Sequence, residues 1–147
     1  MPMAIAIVGV DKSEYIRSGG VSRLSRESIL RLQKLSREGL GQFVAKRPIT
    51  VIAGDVGPLW AAAQVIACWA SPAGVSKRMI KKPALNAATP EKVRSQVPNI
   101  LRLIGTVQKK ATGALVVVCT EEMKQMLVNN EQDLLQRLPR DVLLRFF

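Results

Sequence analysis

Three continuous apolar runs divide the chain. They are Ala4–Val10, Ile49–Ala53 and Gly113–Cys119, and each is rich in Val, Ile or Leu. Apolar runs of this length without polar alternation are typical of strands buried on both faces, as in a parallel sheet. We therefore predict that these three segments are neighbouring central strands of one sheet.

Apolar positions at helical spacing follow each of the predicted strands. The first predicted helix begins after Ser25 as N-cap, and its buried side carries Ile29, Leu32, Leu35 and Phe43. The second covers Leu59–Ala70, the third begins at Thr89-Pro90-Glu91, and the fourth covers Met123–Val128. Pro98 is expected to kink or split the third of these helices. Alternating strands and helices predict an α/β fold with three α/β/α layers, a mostly parallel sheet and a single domain, residues 1–147.

The remaining segments carry weaker patterns. Asp11–Gly20 is mostly polar, ends in Gly-Gly and is interpreted as a loop at the sheet rim. Ser71–Thr89 is interpreted as a long excursion with at most one short strand or turn. The last segment, Asp141–Phe147, is expected to be an edge strand or a helix.

Charge sets this chain apart from an average globular protein. Its 147 residues hold 22 Lys and Arg against 11 Asp and Glu, a net charge of +11. Such a surplus favours acidic partners, among them nucleic acid, an acidic protein or a phosphorylated ligand. The candidate binding residues lie on the first helix and in one basic run: Arg26, Arg31, Lys34, Lys77, Arg78, Lys81 and Lys82.

Other features of the sequence limit the catalytic and metal-binding chemistry that the chain could support. The chain has no histidine, which removes the commonest general base and metal ligand. Cys68 and Cys119 lie in apolar surroundings and are predicted to be buried and reduced, and no metal site or cofactor is expected. Met1–Val10 lacks the features of a signal peptide and no apolar run is long enough to cross a bilayer, so we expect a cytoplasmic protein without membrane contact.

The order of the elements resembles the histidine phosphatase superfamily, the phosphoglycerate-mutase-like fold. Leu24–Phe43 is similar to the family's first helix, L-T/S-x-x-G-x-x-Q-A-x-x-L, although Ser28 and Arg31 replace its glycine and glutamine. Residues 51–67 are similar to the second strand, turn and helix, and residues 113–127 to the late strand and its helix. The resemblance implies a phosphoglycerate-mutase-like architecture.

The residues that carry the family's chemistry are missing. The family ends its first strand with Arg-His-Gly, and the aligned triplet here is Gly9-Val10-Asp11. The phosphate-clamping arginine of the second helix falls at Ala61, and the second histidine falls at or near Thr120. A phosphoenzyme needs a nucleophile and fixed cations, which these residue types do not supply. The resemblance thus implies a catalytically inactive binding or structural module.

Three alternatives stay open. The first is relocated acid–base or metal chemistry, which carboxylates at one sheet edge could support. The residues expected near that edge are Asp11, Asp55, Cys119, Thr120 and Glu121. Strand-end Asp and Thr residues, however, more often cap turns. A basic anion- or nucleic-acid-binding protein is the second alternative, supported by charge alone and not by aromatic residues or a motif. A purely solubilising basic surface is the third. No Gly-x-x-x-x-Gly-Lys loop surrounds Lys12, which excludes a P-loop. The identity of the ligand and the oligomeric state are left open.

Overall fold

A computed structural model describes residues 3–55, 57–87 and 89–147. Within these ranges five strands form the main sheet: β1 (Ala4–Val10), β4 (Ile49–Ala53), β5 (Lys77–Lys81), β6 (Ala114–Thr120) and β7 (Leu143–Phe146). Their order is β5-β4-β6-β1-β7, and every pairing in this sheet is parallel. The three strands predicted from apolar runs are therefore the three central, adjacent ones, as expected.

Helices cover both faces of this sheet. They are α1 (Arg26–Arg37), α2 (Gly39–Val44), α3 (Gly57–Trp69), α4 (Pro90–Lys110), α5 (Glu121–Asn129) and α6 (Glu131–Gln136). One core joins the sheet to α1, α2 and α3, and a second core joins the opposite face to α4, α5 and α6. The three-layer α/β/α architecture is confirmed.

Alternation along the central strands explains the two cores. Val8 and Val118 face α1–α3, whereas Ile7 and Val117 face α4–α6, and all four side chains are fully buried. Apolar side chains on both faces of a strand bury area worth about 25 cal/mol per Å² on each side. Hydrophobic burial on both faces is thus the main stabilising term for the sheet.

The helix boundaries follow the capping residues. The Ser25 and Thr89 side chains each accept a backbone N–H three residues on, from Ser28 and Lys92, at 3.1 and 3.3 Å. The predicted stripe of α4 is buried on the sheet, and Pro98 lies inside one uninterrupted helix. The expected split at Pro98 was wrong: the proline lies on the exposed side, where water can bond the carbonyl it leaves free.

Two predicted loops contain regular structure. Asp11–Gly20 is not a loop, since a short 3₁₀ turn (Lys12–Glu14) leads into β2 (Tyr15–Ser18), which pairs antiparallel with β3 (Val21–Leu24). Gly19 and Gly20 both have positive φ and form the tight connection. The segment 71–89 holds the edge strand β5 and a 3₁₀ turn, Pro83–Asn86. Two residues of predicted turns lie outside the described residues: Ala88 in this segment and Val56 in the turn before α3.

Two further expectations are resolved. The chain end forms the edge strand β7 rather than a helix. Cys119 is buried as predicted, but Cys68 is exposed, because it lies on the side of α3 that turns away from the sheet. Among the described residues, no helix combines the length and apolar character needed to cross a membrane.

Candidate functional site

The carboxyl ends of the central strands meet at one rim of the sheet. Val10 lies opposite Thr120 in the β1–β6 register, and Ala53 lies opposite Val118 in β4–β6. This register brings the residues that follow the strands, Asp11, Asp55 and Glu121, to the same rim, as expected. Ligands of open α/β sheets usually bind at this edge, so the rim is the first candidate site.

A cleft of about 410 Å³ opens at the rim on the face that carries α3. The hairpin β2–β3 forms one wall and the start of α3 another. Its polar lining residues are Lys12, Tyr15, Ser22, Asn86 and Thr120. The size suits a small ligand, but the chemistry depends on what each of these groups already does.

The positions that the resemblance aligns with the catalytic residues of histidine phosphatases have structural roles here. Val10 is fully buried in the core, and Ala61 packs half-buried against the same core. Thr120 is buried, and its hydroxyl accepts the backbone N–H of Met123 at 3.2 Å as the N-cap of α5. A side chain on Gly9 would collide with the Glu121 carboxylate. None of these four positions offers a nucleophile or a cation to a ligand.

The two weakly acidic groups near the rim stay protonated at neutral pH. Burial raises the pKa of Tyr15 to about 12, and the negative charges of Glu122 and Glu14 act in the same direction. Burial likewise raises the pKa of the Cys119 thiol to about 12, with a further contribution from Glu121. The Cys119 thiol faces the Val8 carbonyl, with Sγ 3.8 Å from the oxygen. Neither group is a nucleophile at pH 7.

The rim carboxylates make local structural contacts. Asp11 accepts the Ser13 N–H at 3.3 Å, while the Glu14 side chain accepts the Asp11 N–H at 2.9 Å, a reciprocal capping box. Asp55 accepts the Asn86 amide at 2.6 Å. Glu121 pairs with Lys124 at 2.9 Å. The capping interpretation fits Asp11, whereas Asp55 accepts a hydrogen bond from a distant segment and Glu121 forms an ion pair.

Metal chemistry finds no support in the described residues. No group of three or more His, Cys, Asp or Glu there could hold a metal ion. A second rim cleft, of about 460 Å³, lies between the starts of α4 and α5 and is lined by Asp11, Glu121 and Glu122 against the single cation Arg94. Carboxylates outnumber cations in this lining, so this part of the rim disfavours an anionic ligand.

The predicted cationic residues do not all lie together. Arg26 and Lys34 are exposed on α1, and Arg31 forms an ion pair with Glu14. Helix α1 packs against α2 and α3, whereas β5 pairs with β4 and packs against α3. The structure thus places the seven residues in two groups, one on α1 and one on β5 and the residue that follows it, Lys82. We call the second the β5 group, and the role of both groups in binding stays a prediction.

Strand geometry divides the β5 group again. Lys81 lies over the Trp60 ring of α3, with Nζ 4.8 Å from the ring centre. Arg78 and Lys82 instead line a groove between β5 and α4, together with Lys110 and Thr50. Sequence reasoning missed Lys110 and Thr50. Lys110 resembled an ordinary cation at a helix C-terminus, and the only signal for Thr50 was one polar residue inside the run Ile49–Ala53.

No family model matches the chain, and no curated protein and no solved structure gives a match either. No family is assigned, and the resemblance to histidine phosphatases stays a prediction.

Proposed function

We propose that this chain is a noncatalytic binding domain, similar in architecture to histidine phosphatases, that recognises an anionic partner through cationic residues away from the sheet rim. No cofactor is required for this role. The proposal rests on the roles of the residues at the carboxyl ends of the central strands. The position aligned with the family's nucleophile is the core residue Val10, and the hydroxyl of Thr120 already caps a helix.

The arrangement of the elements supports the architectural part of the proposal. The strands Ala4–Val10, Ile49–Ala53 and Ala114–Thr120 are adjacent and parallel. Helices α1 and α3 pack on one face of this sheet. The resemblance implied this placement, and strands in separate sheets would have contradicted it.

The distribution of charge supports the binding part. Within the described residues, three ion pairs join Glu14 to Arg31, Glu121 to Lys124 and Asp133 to Arg137. With 22 cations against 11 carboxylates in the chain, half of the cations would lack a carboxylate of their own even if every carboxylate formed a pair. An acidic surface would gain from these unpaired cations, and the association would be sensitive to salt.

The catalytic half of the proposal is tested by turnover of a generic aryl phosphate. Protein purified free of contaminating phosphatase should hydrolyse it no faster than buffer does. If hydrolysis exceeds the buffer rate, the protein is an enzyme with relocated chemistry, and Asp11 is the first residue to replace.

The binding half is tested by titrating salt against a fixed polyanion, polyglutamate or duplex DNA. The variant with Lys77, Arg78, Lys81 and Lys82 changed to Ser is compared with a control that loses the same charge at Lys92, Arg102, Lys109 and Arg140. We expect the β5 variant to bind more weakly than the control at every salt concentration. Equal affinities would exclude β5 as the contact.

The two polyanions separate the binding alternatives. For DNA, the logarithm of affinity falls with that of salt by about 0.9 for each phosphate neutralised, so losing four contacts lowers the slope by up to about 3.6. We expect polyglutamate to compete with DNA at equal charge. A strong preference for duplex DNA would replace this proposal by a nucleic-acid-binding function.

A further inference from the structure

The groove between β5 and α4 gathers cations from distant parts of the chain. It has a volume of about 210 Å³; Arg78 reaches it from β5, Lys82 from the residue directly after β5, Lys110 from the last turn of α4, and Thr50 from β4. We propose that this groove binds a phosphate group carried by a small phosphomonoester. The inference rests on the proposed function and names the ligand class of that cationic surface.

Strand alternation makes the groove a distinct site within the basic run. Successive side chains of a strand point to opposite faces of the sheet. Arg78 and Lys82 share a face with Ile80, which packs on the α4 side, whereas Lys81 points to the other face and contacts Trp60 of α3. The run Lys77–Lys82 therefore contributes to two separate surfaces, and the surface on the α4 side faces the groove.

Thr50 is the observation that points to a ligand. Its side chain lines the groove although the residue is only 5% exposed. No side-chain hydrogen bond is formed by Thr50 within the described part of the chain. The hydroxyl opens to the groove rather than into the core, and an anion in the groove would accept its proton.

Register places the strongest phosphate contacts at one end of the groove. Arg78 lies directly opposite Thr50 in the β4–β5 pairing. A guanidinium can hold phosphate through two parallel hydrogen bonds. Lys82 follows Arg78 by four residues, roughly 13 Å along the strand at about 3.3 Å per residue. We therefore assign the phosphate to Arg78, Thr50 and Lys110, and a second negative group of the ligand to Lys82.

Size and charge limit the ligand class. The groove, at about 210 Å³, is smaller than typical small-molecule sites of roughly 300–1,000 Å³, so it fits one end of a ligand. None of its described lining residues is acidic, and its three cations form no ion pair in the part of the chain that the structure describes. Two cations around one phosphate favour a monoester, which carries close to two charges at pH 7, over a singly charged diester.

Two simpler roles account for part of this pattern. Cations in the last turn stabilise the helix dipole, as Lys110 does for α4, and charged residues on an edge strand such as β5 prevent aggregation. These roles apply equally to Lys109, Lys77 and Lys81, which do not line the groove.

The test is a titration with inorganic phosphate at constant ionic strength, followed through the amide NMR signals of Ile80 and Thr106. The groove variant Arg78→Ser/Lys82→Ser/Lys110→Ser is compared with Lys92→Ser/Arg102→Ser/Lys109→Ser, which removes three exposed cations of α4 that do not line the groove. Both variants lose three charges. We expect saturable shifts in the wild type and the control, and none in the groove variant.

Thr50→Val keeps every charge and the side-chain shape, and it tests the site if the triple variant fails to fold. We expect it to weaken phosphate binding about tenfold, since hydrogen bonds to charged groups are among the stronger ones. Unchanged affinity in Thr50→Val, equal loss in both triple variants, or stronger binding of duplex DNA than of phosphate would each overturn the inference. If phosphate fails to bind while polyglutamate still binds β5, only this inference fails; if neither binds, the proposed function fails too.

Discussion

Replacing Val10 by histidine supplies the residue type that the family resemblance places at the end of β1, and we expect it to destabilise the protein rather than activate it. Val10 is fully buried. A larger ring there costs about 1–3 kcal/mol through overpacking. A polar ring nitrogen that finds no partner in this apolar core adds about 1–3 kcal/mol. The expected loss is thus about 2–6 kcal/mol, against a total stability of about 5–15 kcal/mol for an ordinary domain.

The chain has no other histidine, so the introduced imidazole can be followed by NMR without assignment. Burial disfavours the charged ring, so we expect its pKa in the folded protein to lie below the ordinary value of about 6.5. The unfolded chain then binds a proton that the folded chain does not, and stability falls as pH drops below about 6.5. Urea unfolding at pH 8 and pH 5.5 measures both the loss and its sign.

Ser13→His is the matched control, because Ser13 is exposed at the same rim. Its imidazole should titrate near the ordinary value and leave stability within about 0.5 kcal/mol of the wild type. A Val10→His protein as stable as this control would refute the core assignment of Val10. Hydrolysis of an aryl phosphate by that variant would show instead that the rim retains a working phosphate site.

Two further predictions test the rim. Thr120→Ala should lower the free energy of urea unfolding by about 1 kcal/mol through loss of the α5 cap, whereas Thr120→Ser should restore most of it; equal stabilities would deny the capping role. At pH 8 a thiol reagent should modify Cys68 alone, because a pKa of about 12 leaves Cys119 almost entirely as thiol; modification of both thiols before unfolding would contradict this.

The sequence predicts the fold where burial is two-sided. Ala4–Val10 and Ile49–Ala53 were predicted with the bounds that the structure has, because a strand between two helix layers must be apolar on both faces. The hairpin β2–β3 was missed because it is mostly exposed and polar, so alternation is weak. Its local signal was the Gly19-Gly20 pair, which marked a turn without indicating which segments it joins.

The candidate site was less predictable than the fold. The residues expected at the rim do lie there, since parallel strands bring their carboxyl ends together. Their roles depend on contacts between distant segments, such as Asp55 with Asn86, which spacing along the chain does not encode. Thr50 and Lys110 became candidate ligands only through packing of α4 beside β5.

Two regions of the molecule could bind an anion, the sheet rim and the β5–α4 groove, and they differ in the charges that line them. The rim has the usual location for a ligand site, but Asp11, Glu121 and Glu122 line one of its clefts. A second cleft offers Tyr15, which stays protonated, and Thr120, which is engaged in a cap. A third, at the end of β1, is lined by Arg31 and Lys124, but both cations are paired there with Glu14 and Glu121. On the β5–α4 side, three cations surround an unpartnered hydroxyl without an acidic neighbour in the lining. An anion therefore meets attraction at the groove and repulsion at the acidic part of the rim, which is the reverse of the arrangement that phosphoryl chemistry at the strand ends would need.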